Sequence, residues 1–200
     1  MPVVTITLME GYGDDVRTAL SERLTDAVRA TIAAPLDGIT VQINEVKPTG
    51  YMRGRQRRKP GEPVPDAATV VHDYLKAMEA RDLDKAKSML ADDFVMYFPG
   101  TGEMRSLDEL IGWAKDRYTS VGKTYERFDV APGEDGVAVY CFGMLAGEWL
   151  DGTNFKDIRF IDRFTVRDGK LVDQHVWNDM GETLLKAAGL KAAGARAAAE

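Results

Sequence analysis

The sequence predicts an α+β chain of two domains, a small βαβ unit followed by helices packed on one face of a curved antiparallel sheet. Three observations predict it. Apolar residues recur with a period of two, then about four, then two again between Pro2 and Val46. Farther along, helical apolar faces give way to long strand-like runs joined by Asp151-Gly152 and Asp168-Gly169, and Asp-Gly between alternating runs is a strong hairpin signal. Charge also shifts between the two patterns: residues 1–60 carry nine Lys and Arg against seven Asp and Glu, whereas 61–200 carry 17 against 25.

In order along the chain, Val4, Ile6 and Leu8 alternate with Thr5, Thr7 and Met9 as a strand. Val16, Leu20, Leu24, Val28 and Ile32 then line one helical face, with Gly13-Asp14-Asp15 at its start and Ala34-Pro35 and Gly38 at its stop. Ile39, Val41 and Ile43 restore the period of two. The unit, residues 1–52, is therefore βαβ with parallel strands and a right-handed crossover. Two strands and one helix cannot cover both faces of a sheet, so the unit must pair with other copies or lean on the second domain. Residues 53–65, from the basic run Arg53 to Lys59 through Pro60, Pro63 and Pro65, read as a semi-extended linker, either solvated or in contact with the acidic second domain.

Residues 66–190 form the second domain. Val70, Val71, Tyr74, Leu75 and Met78 make one helical face, Leu83, Ala86, Met89 and Leu90 a shorter one, and 107–121 a third helix with Ser106 and Glu109 at capping-box spacing. Strand-like runs follow at 137–150, 153–166 and 170–179. The Ala-rich segment 191–200 reads as a frayed or disordered tail.

Composition removes several classes of function. With 44% hydrophobic and 29% charged residues, the chain has the makeup of a globular protein. No apolar run approaches the roughly 18–20 residues that span a bilayer, and no leader pattern opens the chain, so a cytoplasmic protein with no membrane partner is expected. One cysteine, Cys141, and two histidines without ligand-like spacing point to no disulfide and no metal. A net charge of −6 argues against nucleic acid as a partner. No glycine-rich phosphate loop is present, and no cofactor is expected.

Pro2-Val3-Val4-Thr5-Ile6, Met9-Glu10-Gly11, Thr25-Asp26-Ala27-Val28, Ala34-Pro35 and Val41-Gln42-Ile43-Asn44-Glu45-Val46 resemble the 4-oxalocrotonate tautomerase family over about the first 55 residues. The resemblance implies that Pro2, exposed as the N-terminal residue by loss of Met1, is the general acid or base of keto–enol chemistry. A terminal proline is a secondary amine whose pKa can fall toward neutrality when it is desolvated or set near cations. With Met1 retained, Pro2 is a tertiary amide that only starts a strand. Tyr12 and Thr40 stand where dicarboxylate-handling members carry arginines, Tyr51 matches the family's aromatic after the second strand, and Arg53 or Arg55 could supply charge from elsewhere.

Ala80-Arg81-Asp82-Leu83-Asp84, Leu90-Ala91-Asp92-Asp93-Phe94, Phe98-Pro99-Gly100, Ile161-Asp162-Arg163-Phe164, Arg167-Asp168-Gly169-Lys170 and Trp177-Asn178-Asp179 resemble the nuclear transport factor 2-like superfamily. Within it, the SnoaL-like cyclase and ketosteroid isomerase branches fit best. The resemblance implies a cone with an apolar cavity, in which Tyr74 and Asp162 match the two oxyanion donors of the isomerase. Phe98, with Tyr97 before it, replaces that enzyme's base, which puts a steroid isomerase mechanism in doubt. The SnoaL-like cyclases imply an acid–base role for Asp179 near the end of the last strand, and His175 has the pKa class for proton transfer near neutral pH.

Strand periodicity groups Leu171, Asp173, His175, Trp177 and Asp179 on one face, with His175 and Asp179 about 13 Å apart at strand rise. Each candidate also has a structural alternative: core packing for Tyr74, an ion pair to Arg127 or Arg159 for Asp162, a hydrogen-bonded place on a dimer face for His175, and a cap for Asp179. Trp113, Trp177, Tyr97 and Phe98 would line a planar substrate or simply pack.

Together these features predict a cofactor-independent isomerase or cyclase that moves a proton next to the carbonyl of a small apolar substrate. The alternatives are a ligand-binding module whose first unit serves oligomerisation, and an epoxide hydrolase. A homo-oligomer is expected, with a dimer as the minimum and a hexamer as the specific form.

Overall fold

A computed structural model describes residues 1–189; the tail 191–200 lies outside the described residues. The chain divides into two compact units that meet in sequence between Pro63 and Val64.

In the first unit, strand β1 (Val3–Met9), helix α1 (Asp14–Thr31) and strand β2 (Thr40–Val46) follow the predicted order, and β1 pairs with β2 in parallel from Val3 opposite Thr40 to Met9 opposite Val46. Aspartates 14 and 15 occupy the first turn of α1, where the helix dipole favours negative charge. Part of the stretch expected as linker is structured. Strands β3 (Met52–Arg53) and β4 (Gln56–Arg57) form a hairpin whose turn residues, Gly54 and Arg55, have φ of 59° and 60°, as a two-residue primed turn requires. The chain then folds back on the turn after β1: a Cβ added to Gly11, itself at φ +134°, would stand 3.0 Å from Pro60 Cγ. None of the first 63 residues is buried.

The second unit opens with helices α2 (Ala67–Glu79) and α3 (Leu83–Ser88), capped by Asp66 and Asp82, whose carboxylates accept from Thr69 N and Lys85 N. Helix α4 (Leu107–Lys115) starts with the predicted box: Ser106 Oγ accepts from Glu109 N, and Glu109 Oε1 accepts from Ser106 Oγ and Arg105 N. It ends six residues earlier than its pattern suggested, because the Tyr118, Thr119 and Val121 that prolong the apolar pattern are β-formers that open a strand.

Among the described residues the sheet has five strands rather than three: β5 (Leu90–Tyr97), β6 (Tyr118–Pro132), β7 (Val137–Trp149), β8 (Asn154–Arg167) and β9 (Lys170–Asn178), in the order β5-β9-β8-β7-β6. Strands β6 through β9 are antiparallel, joined at the predicted Asp-Gly turns, and β5 adds in parallel to β9. Helix α5 (Met180–Ala187) follows. Helix α2 lies across one face of the sheet and touches β6 to β9, and the core between them includes Val71, Phe94, Met96, Val139, Phe164 and Leu171.

Two irregularities decide which side chains point into that core. Between β6 and β7 the register shifts after Tyr125, and a Cβ on Gly143, directly opposite Tyr125, would collide with Thr124 O and the Phe160 ring. Between β8 and β9, Thr165 pairs with Asp173 but Val166 pairs with Leu171, so Val172 is an extra residue. The shift splits the face expected on β9: Leu171, Gln174 and Val176 are buried, whereas Asp173, His175 and Trp177 face outward. Among the described residues, no helix is long and apolar enough to cross a membrane.

Candidate functional site

Asp162 lies in the middle of β8, between Phe160 and Phe164, and strand alternation turns all three inward. Its neighbours across the sheet are Cys141 on β7 and Val176 on β9. It is fully buried. Tyr74 descends from α2, 1% exposed, with its ring edge-on to Phe164 at 6.0 Å. Gln174 comes from β9, and Lys123 and Tyr125 come from β6.

The expected partners of Asp162, Arg127 and Arg159, are engaged elsewhere: Arg127 pairs with Asp129 at 3.0 Å and Arg159 with Asp179 at 2.6 Å. Asp162 instead accepts at Oδ2 from Lys123 Nζ, and again from Gln174 Nε2 at 3.3 Å. The carboxyl is therefore used here as an acceptor, not as the donating acid that the isomerase resemblance implied. The Lys123 ammonium sits 4.6 Å from the Phe160 ring centroid, and Tyr125 meets the same ring edge-on at 5.9 Å.

Among the described residues, the buried polar atoms Asp162 Oδ1, Gln174 Oε1, Tyr74 Oη and Trp113 Nε1 have no protein partner. Each such group carries a desolvation cost of about 1–3 kcal/mol unless something meets it. The local field is consistent with a low-dielectric interior. Burial first, and the Asp162 charge second, hold the Tyr74 and Tyr125 hydroxyls well above the ordinary phenol range. The Cys141 thiol is pushed up to about 12 by the same two causes, with Lys123 opposing them. At neutral pH these three groups are protonated, so both phenols are hydrogen-bond donors.

The remaining candidates fall into three separate places. Phe98 and Trp113 pack against each other, ring centroids 5.2 Å apart, with the Arg117 guanidinium 4.3 Å from the Trp113 ring. Tyr97, His175 and Trp177 form a stacked row on the outer face of the sheet, with centroids 4.7 and 5.8 Å apart, and the Tyr97 hydroxyl donates to Glu103. Asp179, paired with Arg159, lies at the same face beside a depression of about 390 Å³ lined by Phe142, Met144, Ile161 and Trp177. His175 and Asp179 thus do not join Tyr74 and Asp162. In the first unit, Pro2 O accepts from Thr40 N at 3.1 Å, and Tyr51 follows β2 partly exposed.

Sequence reasoning missed Lys123, Gln174 and Tyr125. Val121, Lys123 and Tyr125 do alternate as strand neighbours would, but the apolar pattern of 107–121 extends a helix over the first of them. Among the described residues, no group of three or more His, Cys, Asp and Glu could hold a metal ion.

Comparison with known proteins agrees with this division. Residues 2–57 match the tautomerase enzyme family and residues 71–174 the SnoaL-like domain. Over 58 residues the chain is 41% identical to a probable tautomerase of Listeria innocua, covering 29% of this chain and 95% of that protein. A probable tautomerase of Bacillus cereus is 39% identical over 57 residues, 28% of this chain and 93% of that one. Among solved structures, a nuclear transport factor 2-like protein of unknown function from Burkholderia pseudomallei superposes with a TM-score of 0.50 at 18% identity, covering 58% of this chain and 93% of that one. At that identity the likeness is one of fold. By these matches the chain belongs to two families, the tautomerases through its first unit and the SnoaL-like proteins through its second.

Proposed function

We propose that the second unit is an isomerase or cyclase that moves a proton next to the carbonyl of a small apolar compound. One observation carries this reading: a buried carboxylate oxygen, Asp162 Oδ1, and a buried hydroxyl, Tyr74 Oη, both lie without partners in an apolar interior. Oδ1 is the oxygen of this buried carboxylate left to accept a proton from the carbon next to the carbonyl. Negative charge then develops on the carbonyl oxygen, and the Tyr74 hydroxyl, kept protonated by its burial, is suited to donate to it. Returning the proton to another carbon completes an isomerisation; attack of the enolate on a second carbonyl completes a cyclisation. His175 and Asp179 take no part in this scheme.

The measurement is the exchange of the α-hydrogens of cyclohexanone for deuterium in heavy water. Asp162→Asn and Tyr74→Phe are each expected to slow the catalysed exchange by more than about tenfold, the scale on which loss of an oxyanion donor acts. Near-wild-type exchange in both variants overturns the assignment. A second reading, a binding module without turnover, is favoured by the Lys123 pair on Asp162; tight binding without any exchange is its signature.

The first unit is assigned keto–enol proton transfer at Pro2, freed as a secondary amine by loss of Met1. Intact mass of the protein from cells is expected to lack Met1, and its retention removes Pro2 from the chemistry. The absence of any buried residue in this unit supports assembly into a homo-oligomer, a dimer at least and a hexamer as the specific form.

A further inference from the structure

We propose that Lys123 is an amine nucleophile, and that the second unit takes aldehydes or ketones into a covalent imine on its side chain. The inference deepens the proton-transfer reading and rests on it for the later step, since it routes that transfer through an enamine instead of a free enolate.

Three features of the geometry carry it. The Lys123 ammonium lies against an apolar wall, over the Phe160 ring and with Leu145 directly opposite on β7. Its carboxylate partner is fully buried, while 22% of the Lys123 side chain remains exposed, so the residue reaches from the surface to the edge of the core. The second oxygen of that carboxylate and the Tyr74 hydroxyl are unpartnered beside it. Stability gives a poor account of the pair, because taking two charges out of water costs about what their attraction returns. A lysine hydrogen-bonded to a carboxylate beside an apolar wall has what imine formation needs: a primary amine and a group to carry its protons.

The step balances without a co-reactant. The ammonium passes one proton to Asp162 Oδ2 along the existing hydrogen bond, and the freed lone pair attacks the carbonyl carbon. As the carbon–nitrogen bond forms, the carbon–oxygen π pair moves to oxygen, which takes the proton back from Asp162. The nitrogen loses its second proton to the same carboxylate, which gives it to the hydroxyl as that group leaves as water. The ammonium and the carbonyl compound have become an iminium and one water, with the positive charge conserved and Asp162 again a carboxylate. Asp162 can then remove the α-proton to leave a neutral enamine, and hydrolysis reverses every step.

The experiment uses the intact chain, cyclohexanone and cyanoborohydride, which reduces an iminium to a stable secondary amine. Peptide mapping is expected to find a cyclohexyl group on Lys123 at a rate at least about tenfold above that on the exposed Lys156, because a ketone bound beside the amine reacts as an intramolecular partner. In heavy-oxygen water, the protein should also exchange the ketone oxygen, and Lys123→Arg, which keeps the charge but cannot form the imine, should abolish that exchange. Capture of Lys123 no faster than Lys156, with α-deuterium exchange intact, overturns the imine and leaves the enolate route standing. Capture at Lys123 without α-exchange upholds the imine and removes the proton-transfer reading.

Discussion

The two units carry the same kind of hydrophobic patterning and reach opposite outcomes. In β1 the residues alternate between exposed and half-buried, and Val16, Leu20, Leu24 and Val28 of α1 are covered only in part, none of them fully buried. In β8 the same alternation places Ile158, Phe160, Asp162 and Phe164 among the buried residues. The difference lies in what the chain brings to the other side: one helix against two strands in the first unit, and five strands wrapped against α2 in the second. Periodicity tells which face of an element is apolar; it does not tell whether the same chain supplies the cover. Ionic contacts divide likewise. Arg17 and Glu45 pair at 2.6 Å while both stay partly exposed, whereas Lys123 pairs with a carboxylate that has no contact with water.

If this contrast is right, its largest expression is in assembly. Sedimentation is expected to show the full chain as a homo-oligomer, a dimer at least and a hexamer as the specific form, and a chain beginning at Asp66 as a smaller species that is still folded. A monodisperse full-length monomer at micromolar concentration breaks the comparison, since the first unit would then have found its cover within its own chain. Next comes the core: Phe164→Ala should cost about 3–5 kcal/mol in denaturant unfolding of the second unit. Val3→Ala, at a position 60% exposed, should leave that transition in place and shift only the sedimentation boundary.

Lys123→Met tests the ionic half of the contrast. It strands a buried charge and is expected to lower stability by about 3–5 kcal/mol at neutral pH, while Arg17→Ala leaves the midpoint unmoved. The smallest effect is alkaline. The folded-state pKa of the Cys141 thiol, about 12, lies above its ordinary value of 9.0, so its contribution to stability is complete below pH 9 and drains away as pH rises toward 12. The expected slope is about 1.4 kcal/mol per pH unit. Cys141→Ala should flatten the curve between pH 9 and 10, and Tyr74 adds its own loss above pH 10. An unchanged slope in the variant removes Cys141 as the cause.

How far the sequence could be read depended on whether local pattern or register decided the outcome. The βαβ order, the Asp-Gly hairpins and the Ser106–Glu109 box were legible because each is settled within a few residues. Asp162 was legible as an inward residue because two phenylalanines flank it at a spacing of two. Lys123 was not: a lysine between Gly122 and Thr124 reads as surface until β6 is known to be a strand and its face is fixed by the shift after Tyr125. Tyr97 and Phe98, adjacent in sequence, go to opposite sides of the sheet for the ordinary reason of alternation. His175 and Asp179 were misplaced with Leu171 because one extra residue changes the parity of everything after it, and nothing around Val172 announces that residue.

That extra residue has an evolutionary meaning. Were Val172 absorbed into the ladder opposite Thr165, every later residue of β9 would slip by one and change sides, carrying His175 and Trp177 inward and Gln174 and Val176 out. A lineage could thus trade an amide for an imidazole beside Asp162 by a one-residue slip of register, with no substitution at either position. The repertoire of chemistry open to this sheet is set by its reading frame along the strand as much as by its residues.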